Sequence, residues 1–262
     1  MKKIIIIFAM IVLMSSFASA ALTDGLVSYW DFDEGAGSTA YDSQDGNDGT
    51  LNGNPQWVTG KVGPYALDFD GSGDYVGVPD SSDWDFGSGS FTIAFWANLD
   101  AISSNYVLEH YGSSLRWAFI YDGDSWNYYD SVNGKVIEYS TVPSTGTWYH
   151  ITYTKEENDY TLYIDGSSVQ SNTASDVPDV DGPLYIGRYG GNLNYNYDGT
   201  LDEIGIWNRA LSEGEIVTLA GGTNPLNNGD EEPAVPEFST VGIILVLLIA
   251  GVGIAFVVKK KQ

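Results

Sequence analysis

From Leu26 to about Ala220, apolar and polar residues alternate in short runs. The clearest are Leu26–Phe32, Phe91–Trp96, Trp148–Tyr153, Tyr160–Ile164 and Leu201–Trp207. A period of two puts successive side chains on opposite faces. Runs this rich in aromatic and β-branched residues therefore predict half-buried strands. Asp122-Gly123, Asn133-Gly134 and Asp165-Gly166 fall between such runs. They suit tight hairpins, whose central residues adopt positive φ. About a dozen short strands at this spacing predict an all-β fold, a two-sheet antiparallel sandwich. One segment breaks the period. Ser212-Glu213-Gly214-Glu215 has capping-box spacing and opens onto Ile216, Val217 and Leu219. It predicts one short C-terminal helix, closed by Gly221-Gly222.

The two ends follow another pattern. Residues 1–20 carry Lys2 and Lys3, an apolar run from Ile4 to Met14, and Ala18-Ser19-Ala20. That order reads as a secretory signal peptide. Residues 21–223 then form the sandwich domain, and 224–240, rich in Asn, Asp, Glu and Pro, read as an acidic linker. Residues 241–258 are apolar and uncharged, close to the roughly 20 residues a transmembrane helix needs. Lys259, Lys260 and Lys261 begin a basic cytoplasmic tail, 259–262. The expected topology is a single-pass protein at the outer cell surface with its C-terminus inside. Pro236-Glu237-Phe238 ahead of the apolar run resembles the PEF-type C-terminal sorting signals of archaeal surface proteins. The resemblance implies a membrane sortase that removes the span. A plain membrane anchor is the alternative.

Composition narrows the partners. The 262 residues include 35 acidic and 11 basic side chains, a net charge of −24, and no cysteine. Such a chain repels phosphate backbones, which argues against nucleic-acid binding. It has no disulfide framework, thiolate metal site or cysteine nucleophile. Five basic residues lie in the two ends, so six face all 35 acidic ones in the exposed part. That field favours cations and solubility, and suits high-salt conditions equally.

Several phrases, in order, carry a resemblance across nearly all of residues 22–222. They include Gly25–Gly37, Asp42–Leu51, Ala66–Gly71, Phe91–Trp96, Gly146–Ile151, Leu184–Gly187 and Gly199–Ile216. Together they resemble the laminin-G-like domain of the concanavalin A-like lectin and glucanase superfamily. The resemblance implies a jelly roll with a concave and a convex face. Superfamily glucanases carry a Glu-x-Asp-x-Glu strand, with carboxyls about 5 Å apart acting as nucleophile and acid/base. That pattern is absent here. Glu156-Glu157-Asn158-Asp159 reads as a hairpin turn, and no Gly-x-Ser-x-Gly elbow accompanies the two histidines, His110 and His150. The chain is therefore expected not to be an enzyme. In the superfamily a structural calcium often ties the first strands to the last. The resemblance places its ligands at Glu34, Asp42 and Asp202. Asp and Asn also dominate turns without any ion. The carboxylates of a pentraxin-type calcium pair are missing from Ser113-Ser114 and Tyr189-Gly190-Gly191.

Two aromatic stretches suggest a ligand surface. Trp126-Asn127-Tyr128-Tyr129 follows a turn, and Tyr189–Tyr197 is a late loop at the rim of the concave face in related folds. Tyr and Trp offer flat apolar faces to sugar C–H surfaces, and Asn offers a paired donor and acceptor. The candidate ligand contacts are Trp126, Tyr128, Tyr189, Asn194, Tyr195 and Tyr197. Trp30, Phe32, Phe95, Trp96, Trp148 and Trp207 alternate along strands and read as core. The expected function is a surface-anchored module that binds carbohydrate or a surface glycoconjugate, in adhesion or envelope structure. The alternatives are a glycan-cleaving enzyme with an unrecognised site and a purely structural envelope protein.

Overall fold

The computed structural model describes residues 21–191 and 195–226. The leader, Asn194, the linker from residue 227, the apolar run 241–258 and the basic tail lie outside the described residues. Among the described residues no helix is long and apolar enough to cross a membrane.

The described strands are β1 (Leu26–Trp30), β2 (Thr39–Ala40), β3 (Gly49–Asn52), β4 (Gln56–Thr59), β5 (Tyr65–Asp70), β6 (Tyr75–Val78), β7 (Phe91–Leu99) and β8 (Ser104–Tyr111). They continue with β9 (Arg116–Asp122), β10 (Ser125–Asp130), β11 (Gly134–Ser140), β12 (Trp148–Glu156), β13 (Asp159–Ile164), β14 (Ser167–Thr173), β15 (Leu184–Ile186) and β16 (Asp198–Trp207). One sheet runs β14-β13-β12-β7-β16-β5-β4, with β1 also paired to β16. The other runs β11-β10-β9-β8-β15-β6-β3-β2. All ladders are antiparallel, as the alternating runs predict.

The three Asx-Gly pairs close the β9–β10, β10–β11 and β13–β14 hairpins. In the last of these, Asp165 and Gly166 have φ of 49° and 78°, the positive pair a tight turn needs. The central strands β7 and β16 are buried on both faces because both faces are covered. Trp30, Leu67, Trp84, Phe95, Trp117, Phe119, Tyr121, Tyr128 and Ile206 fill the space between the sheets, none above 1% exposed. A smaller core covers the other side of the first sheet. There Ile216 and Leu219 of α1 (Glu213–Ala220) pack with Leu22, Leu26, Tyr29, Ala94 and Trp207. The Ser212–Glu215 capping box is present, and Leu226 still packs on this cluster.

Of the expected core aromatics, Trp30, Phe32, Phe95, Trp96 and Trp207 are buried, and Trp148 is half-buried. Glu157-Asn158 forms the β12–β13 turn, with Glu157 at φ 54°.

Candidate functional site in the second sheet

The outer face of the second sheet carries a cleft of about 300 Å³. It is lined by Tyr106, Arg116, Ile120, Asp122, Asn127, Tyr129, Lys135 and Tyr195. The residues come together through strand register. Paired residues of antiparallel strands share a face, and Ile120 lies opposite both Tyr106 and Asn127. Tyr129 lies opposite Ala118 on one side and Lys135 on the other. A second hollow of about 180 Å³ adjoins the first and shares Arg116 and Tyr129 with it. Its other walls come from Tyr111, the turn at Gly112–Leu115, Ser131 and Tyr189.

Arg116 is the hub. Its guanidinium lies over the ring of Tyr129 at 4.6 Å and that of Tyr189 at 4.9 Å. Its Nη1 donates to Glu109 Oε1 at 2.9 Å. The other oxygen of Glu109 accepts the Gly190 N–H at 2.6 Å, which fastens the late loop to the sheet. Glu109 is fully buried, and that burial lifts its carboxyl to about 7 against the pull of Gly190 and Arg116. Gly190 approaches the sheet closely because it has no side chain. A Cβ there would sit 2.6 Å from the Tyr111 ring. Tyr189 and Tyr195 close the loop through a 2.8 Å backbone bond and pack with Tyr106 at 5.0 and 6.1 Å.

Two polar groups set the chemistry. Asn127 is 1% exposed, and its Nδ2 donates to Ser125 O at 3.0 Å while its Oδ1 has no donor. Lys135 Nζ bridges Asp122 at 2.9 Å and Glu138 at 2.5 Å. Burial opposes ionisation of Asp122, yet hydrogen bonds from Lys135 and Ser125 prevail and hold it below its ordinary value.

The structure redistributes the expected ligand residues. Tyr189 and Tyr195 line the hollows. Trp126, Tyr128 and Tyr197 do not: all three are buried, at 1%, 1% and 0% exposure. Trp126 packs on Tyr121, Tyr128 on Phe119 and Tyr160, and Tyr197 edge-on to Phe69. On β10 the cleft takes the other parity, Asn127 and Tyr129. Tyr106, Glu109, Arg116, Asp122 and Lys135 were missed. Glu109 had one available signal, as a lone carboxylate within the strand run Tyr106–Tyr111.

The expected metal ligands do not form a set. Among the described residues no three His, Asp or Glu side chains gather where an ion would sit. Asp42 is occupied with turn formation, accepting the backbone N–H of Tyr29, Gln44 and Asn47. Glu34 Oε1 accepts the Tyr41 N–H and Asp202 Oδ2 those of Lys61 and Val62. Glu34 Oε2 and Asp202 Oδ1 are buried without a donor. Both histidines are buried as well. His110 Nε2 lies 3.1 Å from Asp80 and 2.8 Å from Gly182 O. His150 packs on Trp96, and burial lowers its pKa to about 3, so it is neutral.

The two apposed antiparallel sheets, with a ligand-sized hollow on one outer face, define a jelly-roll module. A laminin G family model, described as the concanavalin A-like lectin/glucanases superfamily, matches residues 70–217, and the chain belongs to this superfamily. It is 30% identical over 153 residues to Paraclostridial mosquitocidal protein 1 of Paraclostridium bifermentans. The match covers 49% of this chain and spans only 12% of that protein. The crystal structure of that protein's binding domain superposes with a TM-score of 0.61 at 23% identity, covering 76% of this chain and 52% of the domain. Domain 4 of AbnA, a GH43 extracellular arabinanase from Geobacillus stearothermophilus in complex with arabinotriose, gives 0.59 at 20% identity, covering 74% and 98%.

Proposed function

We propose that this chain is a non-catalytic carbohydrate-binding module of the cell surface, and that the cleft between Tyr106 and Lys135 is its binding site. The observation that carries this is the pairing of tyrosine walls with a buried, donor-less acceptor. Tyr106, Tyr129 and Tyr195 offer apolar faces, and Asn127, also in the lining, has a buried Oδ1 that receives no hydrogen bond. A sugar supplies both a C–H face and a hydroxyl. The relative whose structure is a binding domain, and the arabinanase domain seen with arabinotriose, make the reading more plausible.

The carboxylates argue against glycan cleavage. Glycosidases place theirs about 5–9.5 Å apart, one of them protonated as the acid. Glu109 pairs with Ala118, four residues from Asp122 along β9. At about 3.3 Å per residue that is roughly 13 Å. Asp122 and Glu138 are closer, but Lys135 bridges them, and its hydrogen bond helps hold Asp122 below its ordinary value.

The test is a glycan array followed by titration of wild type, Tyr129→Ala and Asn127→Ala. A binding loss of at least about tenfold is expected, with near-UV circular dichroism unchanged. Loss of no more than twofold in either variant rejects this cleft. Surface attachment rests on the sequence of the two ends: a cleaved leader, the 241–258 span, and PEF-type recognition by a membrane sortase. Membrane fractionation and C-terminal mass spectrometry test it. Calcium remains a proposal for Glu34, Asp42 and Asp202, of which Glu34 and Asp202 each keep one buried oxygen without a donor. An unchanged Tm between calcium and chelator removes it.

A further inference from the structure

We propose that the two hollows are consecutive subsites for one linear, neutral oligosaccharide of at least two sugar residues, laid across Tyr129 and Arg116. This rests on the carbohydrate reading and specifies its ligand. The larger hollow, about 300 Å³, and the smaller, about 180 Å³, meet at Arg116 and Tyr129. Each hollow offers polar groups to hydroxyls. The larger holds the unpartnered Asn127 Oδ1, and the smaller is rimmed by Ser113, Ser114 and Ser131.

Neutrality follows from the cations. Arg116 and Lys135 are the basic residues of the lining, and each is already paired. Arg116 is bound to buried Glu109, and Lys135 to Asp122 and Glu138. A sugar carboxylate would bring a further negative charge beside Glu109, Asp122 and Glu138, which already neutralise these cations. It would also approach a domain in which six basic residues face 31 acidic ones. A hydroxyl, in contrast, adds to the existing pairs without breaking them.

The experiment is calorimetric titration of the full chain in mild detergent. The probes are neutral linear arabinan and cellulose oligomers of one to four residues, and galacturonic acid oligomers of equal length. Within whichever neutral series binds, affinity should rise at least tenfold from one residue to two or three, then level off. The acidic series should bind at least tenfold more weakly. Ser114→Trp, which fills the smaller hollow, should abolish the gain with length. A monosaccharide that binds as tightly as its trimer overturns the two-subsite arrangement. Tighter binding of the galacturonides overturns neutrality. Either result leaves the carbohydrate reading standing. Binding on a glycan array only to branched or acidic glycans likewise overturns this inference alone. Silence of both series and of the array overturns the carbohydrate reading and this inference with it.

Discussion

At the scale of single residues, the cleft is decided by which parity of β10 faces out. Trp126-Asn127-Tyr128-Tyr129 holds aromatics on both parities, so alternation alone does not say which ring is exposed. A one-residue change of phase moves every side chain to the opposite face. The structure buries Trp126 and Tyr128 and turns Asn127 and Tyr129 outward. The two classes should therefore fail differently. Trp126→Ala opens a cavity against Tyr121 and should cost about 3–5 kcal/mol in urea unfolding. Tyr129→Ala removes a half-buried ring from a cleft wall and should cost under about 1 kcal/mol while weakening sugar binding. A Trp126→Ala protein of wild-type stability would place that ring on the surface after all. Tyr195 and Tyr197 carry a related lesson. They share parity, yet Tyr195 is 43% exposed and Tyr197 fully buried. Only Tyr197 leads into β16, and Tyr195 belongs to a loop where strand alternation does not apply.

At the scale of elements, the sequence was most legible where local rules act. The hairpin turns, the central apolar strands and the helix cap all depend on residues adjacent in the chain, and all appear in the structure. The cap yields a direct prediction. Ser212 and Glu215 hold each other's backbone N–H, and Glu215 also takes two nitrogens of Arg209 at 2.6 and 3.0 Å. Ser212→Ala should cost about 1 kcal/mol, or roughly 2–4 °C in Tm for a domain of this size. Calorimetry reads it, and no shift would mean that Arg209 holds Glu215 in place without the cap. The cleft was legible only in part. Tyr106, Arg116, Tyr129 and Lys135 come from β8 to β11, consecutive strands joined by hairpins, and the turns do not say which face points outward. Tyr189 and Tyr195 reach them because β15 pairs with β8. Nothing local announces that pairing. The acidic turns carry two readings for the converse reason. Asp42 has the residue type of a calcium ligand, but backbone N–H groups from 2, 5 and 13 positions away engage its oxygens.

At the scale of the whole molecule, buried carboxyls set an unusual pH response. Burial raises Asp85 to about 6, Glu109 and Asp202 to about 7, and Glu203 to about 8. Their ordinary values are 3.8 for Asp and 4.5 for Glu. Between these limits the folded protein binds more protons than the unfolded chain, so stability falls as pH rises. The contribution is fully present below about pH 4 and is lost progressively through pH 6 to 8. The net charge of −24 acts in the same sense, since each proton taken up relieves self-repulsion. The domain should therefore melt at a higher temperature at pH 5.5 than at pH 8.5, at fixed ionic strength and in chelator. Glu203 sits on a bulge of β16 at φ 55°, with Oε1 buried and unpartnered. Glu203→Gln should raise stability at pH 8.5 by about 2 kcal/mol, change little at pH 5.5, and so flatten the slope. A cation on Asp202 would favour its ionised form and oppose the trend. The same scan in millimolar calcium then separates two outcomes. A slope unchanged by calcium leaves Asp202 a protonated structural group. A slope that reverses in calcium and returns in chelator identifies Asp202 as a calcium ligand.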